Sequence, residues 1–227
     1  METTSIYESE LFLNLPDKSM HPGGLRLTAR AARLAGLKPG MTAADIGCGA
    51  GATAAFLERA LGVRAVGLDA SRELIARGRK EHPGLDLLHW DGGALPFESG
   101  ALDAAFCECT LSVIGAPEAL LKDIARALKP GGVFIVSEVC LAPSAPYGGL
   151  YTEEELARLI EGAGLAVERR EDHTDALRTF AAELRLRGGA GALGALVCPS
   201  CLGASEDAPR PRLKDLRYVL FIARKLS

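Results

Sequence analysis

The residues best suited to chemistry in this 227-residue chain gather around one short stretch, Asp45-Ile46-Gly47-Cys48-Gly49-Ala50-Gly51. Glycines at alternate positions let the backbone turn sharply and let a ligand approach main-chain N–H groups where the next helix begins. The glycines alone leave the ligand open, because Gly47-x-Gly49-x-x-Ala52 also satisfies the relaxed dinucleotide pattern G-x-G-x-x-G/A. Three carboxylates flank the loop, and two of them, Asp45 and Asp91, narrow the choice. Asp69, closing Val66-Gly67-Leu68-Asp69, stands where an acid accepts both hydrogen bonds of a ribose diol, a position that nicotinamide and adenosyl cofactors share. Asp45, two residues ahead of the first glycine, suits a ligand with an ammonium group and would repel a pyrophosphate. Asp91, in His89-Trp90-Asp91-Gly92-Gly93, can accept a hydrogen bond from an exocyclic amine.

These groups need elements to hold them. The Ala/Leu/Arg-rich run 25–36 has helical spacing, and the apolar run Thr42–Ile46 reads as a buried strand feeding the glycine loop. The pattern then alternates: helix 52–61, strand 64–68, helix 71–81, strand 85–89, strand 101–108, helix 117–128 and strand 133–139. A helix over 152–161, opened by the capping-box pair Thr152 and Glu155, leads to a strand over 165–170 and an Arg-rich helix over about 175–187. The run 216–225 is the strongest strand signal and closes the sheet. Such alternation implies a doubly wound α/β fold with a mostly parallel, Rossmann-like sheet covered by helices on both faces. Residues 1–24 are polar, with Pro16 and the turn His21-Pro22-Gly23-Gly24, and read as an N-terminal arm outside the core of the domain, 25–227. Residues 188–211 carry no helical period and read as a loop or cap, part of a cap insertion at about 171–215.

The stretches ADIGCGAG, VGLD, WDGGALPF, LDAAFCECTLSVI and LKPGGVFIVSE, in that order, resemble the class I S-adenosylmethionine-dependent methyltransferases. The resemblance covers roughly residues 25–170 and the final strand, and leans towards small-molecule enzymes related to those of quinone biosynthesis. It implies a three-layer α/β/α domain with a seven-stranded sheet whose last strand is antiparallel, and S-adenosyl-L-methionine as cofactor. It implies that Gly47, Gly49 and Gly51 pass under the cofactor and that Asp45 sits near its methionine moiety. Asp69 would take the ribose hydroxyls, Asp91 the adenine amine and Glu108 a place beside the sulfonium, with Cys48, Ala70 and Gly92 completing the cofactor-binding set.

Methyl transfer is displacement at a carbon that the cofactor already activates, so placement matters more than an acid or base. A base is needed only where the acceptor must first lose a proton. His21 and His173 are the candidates. His173 is favoured by topology, since its strand should end at the ligand-binding edge of the sheet; His82 and His89 have no such argument. Tyr7, Tyr147 and Tyr151 are candidates for an acceptor pocket, with surface packing the commoner role.

Six cysteines in a chain with no basic n-region or long apolar run at its start suggest a reducing, cytoplasmic setting, not three disulfides. Cys48, Cys107, Cys109 and Cys140 fall at strand ends, Cys198 and Cys201 in the cap, and all six are expected on one side of the sheet. Cys198-x-x-Cys201 is half of a four-cysteine zinc site, a weak case for metal. The strand-end thiols read equally well as small buried hydrophobes.

With 26 Lys+Arg against 29 Asp+Glu, the formal charge of -3 offers no basic field for nucleic acid or an acidic membrane. No run approaches the length of a membrane span. A small-molecule substrate follows, with oligomeric state open. The alternatives are thiol-assisted methylation of arsenite or a thiol-type acceptor, a nicotinamide-dependent oxidoreductase, and a non-enzymatic metal- or ligand-binding module.

Overall fold

A computed structural model describes residues 6–15, 17–114, 116–145, 149–188 and 211–226. Seven strands form one sheet in the order β3-β2-β1-β4-β5-β7-β6. They are β1 Thr42–Ile46, β2 Arg64–Asp69, β3 Asp86–His89, β4 Leu102–Glu108, β5 Leu128–Leu141, β6 Leu165–Asp172 and β7 Leu216–Lys225. β1 pairs in parallel with β2 and β4, and β7 runs antiparallel to both β5 and β6. The sheet is therefore mixed, with its one reversed strand the last in sequence, as expected.

The helices are α1 Glu10–Leu13, α2 Gly24–Leu34, α3 Ala52–Leu61, α4 Arg72–Glu81, α5 Pro117–Ala127, α6 Glu153–Gly162 and α7 Thr174–Gly188. On one face Leu27 and Ala31 of α2, Ala54 and Leu57 of α3 and Leu177 of α7 pack on Phe106, Ile135 and Tyr218. On the other, Leu121 and Ile124 of α5 and Leu156 and Ile160 of α6 pack on Ile46, Phe134 and Phe221. Strands buried on both faces read as continuous apolar runs, which is why β1 and β4 show no alternation. Local signals set several boundaries. Ser71 caps α4 by accepting the N–H of Leu74 at 3.0 Å, and Thr152 and Glu155 form the expected reciprocal box on α6. No described helix is long and apolar enough to cross a membrane.

Three features differ from the sequence reading or go beyond it. β5 begins at Leu128, five residues earlier than expected, because Leu102 still pairs with Leu128 across a register shift. β7 does not lie at the rim of the sheet; it is inserted between β5 and β6, with register running from Val133↔Arg224 to Leu141↔Leu216 on one side. That position accounts for its apolar run, and leaves the charged β6 as the edge strand, where exposed Arg169 and Arg170 discourage further pairing. The arm, expected outside the core, folds down with a core of its own. Phe12, Leu15, Phe180 and Leu184 form a separate buried cluster, the two rings meeting edge-to-face at 6.3 Å. Burying a side chain of that size is worth roughly 1.5–3 kcal/mol. Residues 189–210 of the expected cap lie outside the described residues, Cys198 and Cys201 among them, as does Tyr147.

Candidate active site

Beyond the carboxyl ends of β1, β2 and β4 opens a cavity of about 750 Å³. The loop after β1 forms its floor. Gly47 and Cys48 both donate their N–H groups to Leu68 O, at 2.8 and 3.0 Å, which ties the loop to β2. Gly47 has φ 77°, and a Cβ there would run into Thr110, so both its conformation and its packing require glycine. Asp45, Gly47, Cys48, Gly49, Asp69, Ala70, Asp91, Gly92 and Glu108 all line the cavity. Gly51 does not. It starts α3 with φ 84° and lies against Leu85 and Leu87 beneath the floor.

The carboxylates differ in what holds them. Asp69 accepts the N–H of Gly49 on Oδ2 and that of Ser71 on Oδ1, each at 2.8 Å, and a carboxylate has lone pairs left for a diol. Burial nevertheless raises its pKa above the ordinary value. Asp91 is exposed and bonded to the Gly93 N–H at 3.1 Å. Asp45 is 2% exposed, and its Oδ2 is buried with no hydrogen-bond partner. Burial pushes its carboxyl well above the usual carboxylate range, the neighbouring Glu108 and Asp69 charges add to this, and the Ala54 N–H opposes it.

Glu108 is the most heavily partnered of the set. It accepts hydrogen bonds from Thr53 Oγ1 at 2.7 Å and from Thr28 Oγ1 at 2.9 Å, and His21 Nε2 lies 3.2 Å from its Oε2. One carboxylate thus gathers α3, α2 and the arm. His21 is 5% exposed, with Nδ1 3.2 Å from Pro22 O, so both ring nitrogens are engaged.

The arm roofs the cavity. Tyr7, Glu8, Lys18, Ser19, Met20 and His21 line it. Ser71 Oγ donates to Glu8 Oε1 at 2.6 Å and Lys18 Nζ sits 2.7 Å from Glu81 Oε2, anchoring the arm to α4. Sequence reasoning named Tyr7 and His21 from this stretch but not its role as a roof. The signal available was the apolar set Leu11, Phe12, Leu13, Leu15 and Met20 within a polar segment.

His173 is elsewhere. β6 ends at the expected edge, but it lies three strand positions from β4, roughly 14 Å across the sheet. His173 instead approaches Glu171 at 3.2 Å, and Glu171 is held by Arg30 at 2.7 Å. His82, His89 and Tyr151 do not line the cavity either. Of the described cysteines, Cys48 and Cys109 line it, whereas Cys107 and Cys140 are buried in the α5/α6 face. Burial pushes all four thiols up, aided by Asp45 at Cys48 and by Glu138 at the other three. No group of three metal-ligating side chains occurs among the described residues.

Two more residues shape the far wall: Cys109, expected only as a strand-end thiol, and Glu138, which sequence reasoning passed over. Cys109, with φ 53°, turns the chain out of β4 into Leu111–Val113. Glu138, 1% exposed, accepts from Ser112 Oγ at 3.0 Å and Ser112 N–H at 3.2 Å and so pins that turn. A lone acid in the apolar run of β5 was its sequence signal, since a buried charge must be partnered.

A doubly wound sheet with a glycine floor, an acid at the end of β2 and a cavity at the strand ends is a nucleoside-cofactor fold. Comparison with known proteins narrows it. Residues 44–136 match the family described as a methyltransferase domain. A demethylmenaquinone methyltransferase of Beutenbergia cavernae is 34% identical over 116 residues, covering 51% of this chain and 48% of that protein. Among solved structures, the [4+2]-cyclase SpnF superposes with TM-score 0.71 at 25% identity, covering 88% of this chain and 80% of that one. Phosphoethanolamine N-methyltransferase 2 of Haemonchus contortus, solved with S-adenosyl-L-methionine, superposes at 0.72 and 20% identity, covering 92% and 54%. The chain spans about half the length of the first curated relatives it matches. Over residues 44–136 the chain thus carries a methyltransferase domain.

Proposed function

We propose that the chain transfers a methyl group from S-adenosyl-L-methionine to a small, apolar, uncharged acceptor. The observation that carries this is Asp45, a buried carboxyl with an unpartnered oxygen on the wall of an acidic cavity. Such a group gains from an arriving ammonium and gains nothing from a pyrophosphate, which counts against a nicotinamide cofactor. In this reading Asp45 takes the ammonium group, Asp69 the ribose hydroxyls and Asp91 the adenine amine, over a floor of Gly47, Cys48 and Gly49. Ala70 and Gly92 line the nucleoside end, Gly51 shapes the floor from below, and Glu108 holds the wall near the sulfonium.

Bound there, the cofactor supplies a methyl carbon already activated by its sulfonium. The chain's task is to align the acceptor with that carbon and to keep water out, a contribution that can reach several kcal/mol. The acceptor end is lined by Tyr7, Met20, Cys109, Val113 and Ile114. Lys18, the one lysine or arginine among the described lining residues, is already paired with Glu81, and His21 is engaged by Glu108. Neither is left for a phosphate, which favours a neutral, quinol-like acceptor over a phosphorylated amine. His21 serves in this scheme as a tie between arm and β4, not as a base. The raised pKa values of the four described thiols count against their serving in thiol-assisted arsenite chemistry, since the thiolate is the reactive form. Four described cysteines that are free and a formal net charge of -3 support work in the cytoplasm on a dissolved small molecule, with no nucleic acid involved.

Incubation of the full chain with methyl-labelled S-adenosyl-L-methionine tests this, with menadiol as a neutral probe and phosphoethanolamine as an anionic one. Label is expected in menadiol alone. Binding of NADH without binding of S-adenosylhomocysteine would sink the cofactor assignment, and label in phosphoethanolamine would sink the acceptor class.

A further inference from the structure

Asp45 is placed awkwardly for a permanently charged group. It sits in β1 between Gly67 of β2 and Phe106 of β4, and is 2% exposed. Every titratable group facing it makes matters worse or stays neutral. Glu108 stands beside it at the end of β4, Asp69 at the end of β2, and the thiols of Cys48 and Cys107 lie in the loop and in β4. His21 of the arm is engaged by Glu108. The backbone N–H of Ala54 is the one donor it receives, and Oδ2 has no partner at all. An ionised carboxylate left unpaired in such a place costs far more than a neutral one.

We infer that Asp45 is protonated when the cavity holds no ligand and ionises as a ligand's ammonium group arrives beside Oδ2, so that loading the site releases one proton. The inference rests on the cofactor reading above. The step balances simply: the carboxyl O–H bond breaks, the proton passes to buffer, and the new carboxylate pairs with the ammonium, which keeps its own three protons. The burial that raises the carboxyl's proton affinity in the empty site is offset in the loaded one by an opposite charge at contact distance. Between the two pKa values, affinity for an ammonium-bearing ligand rises with pH by up to tenfold per unit, and it levels off above the empty-site value.

The test is calorimetric titration of the full chain with S-adenosylhomocysteine between pH 5 and 8, in pairs of buffers of different ionisation enthalpy. The observed heat should differ between buffers in proportion to a release approaching one proton over the acid part of the range. Titration with 5′-methylthioadenosine, which keeps the thioether nucleoside but lacks the amino-acid end, should show no such release. Asp45→Asn should bind S-adenosylhomocysteine with no buffer-dependent heat. If that variant fails to fold, the contrast between the two ligands on the wild-type chain decides the matter. Buffer-independent heat across the whole range, or equal proton release with both ligands, overturns the inference. Failure of S-adenosylhomocysteine to bind at all instead removes the cofactor reading on which it stands.

Discussion

Gly47→Ala separates what the floor of the cavity owes to backbone freedom from what it owes to close packing. The new Cβ would meet Thr110 Oγ1 and lie 2.5 Å from Thr110 Cγ2, where ordinary contact begins at 3.4 Å. Thr110 would have to retreat by roughly 1 Å, and it is 7% exposed with its hydroxyl bonded to Glu108 O at 3.1 Å. Overpacking of this kind costs about 1–3 kcal/mol. Gly47 also has φ 77°, for which an alanine pays about 1–2 kcal/mol. Gly36 supplies the control, with φ 75° and nothing within 4 Å of an added Cβ. Gly36→Ala should therefore show the conformational penalty alone, and Gly47→Ala that penalty plus the clash. For a domain of this size the difference of about 1–3 kcal/mol corresponds to roughly 3–9 °C in Tm. Thermal unfolding of both variants beside wild type reads it, and calorimetry should show S-adenosylhomocysteine binding weakened more than tenfold in Gly47→Ala only. Equal melting points for the two variants would refute the packing argument, whatever happened to binding.

Asp45→Asn should stabilise the ligand-free protein. The folded carboxyl binds its proton more tightly than the unfolded one, so its contribution to stability is fully present below the unfolded pKa and is lost as pH rises through the folded value. A gain in Tm of at least about 2 °C at pH 8, shrinking towards pH 4, is expected from melting curves; a loss at every pH contradicts it. Phe12→Ala should release the arm, because Phe12 is fully buried against Phe180. Limited proteolysis should then cut within residues 1–24 and S-adenosylhomocysteine affinity should fall about tenfold, with the main melting transition little changed; continued protection of the arm counts against the roof. Asp91→Ala, at an exposed residue, should lose one hydrogen bond worth about 1 kcal/mol, hence roughly fivefold in affinity. Untouched affinity would return the nicotinamide reading to consideration.

The strand-loop-helix unit from Thr42 to Leu61 was legible in the sequence because its determinants are local: glycines with positive φ and an apolar strand buried on both faces. The cavity-lining carboxylates followed, since the end of a parallel strand is a fixed place in such a fold. Lateral order was harder. Nothing within Leu216–Lys225 says that it slides between β5 and β6, and the misplacement of His173 has the same origin: topology predicts which edge a residue reaches, not how far along that edge. The arm was misread because its apolar residues are few and find their partners about 170 residues later, in Phe180 and Leu184 of α7. Glu138 shows the opposite lesson, a local anomaly in an apolar strand whose meaning appears only when Ser112 comes to meet it.

The placement of β7 also says something about how the molecule comes into being. During synthesis β5 and β6 must both wait for the last strand: until residues 216–225 leave the ribosome, each shows an unpaired edge with no permanent neighbour on that side. Half of the sheet thus depends on the final ten-residue strand, and pairing with it closes loops of about 90 residues to Val133 and about 60 to Leu165. The cavity end, β1 to β4, completes its mutual strand pairings within the first 110 residues. A nascent chain would so acquire the floor of its cavity well before the far half of its sheet, leaving an interval in which the apolar faces of β5 are open to wrong partners.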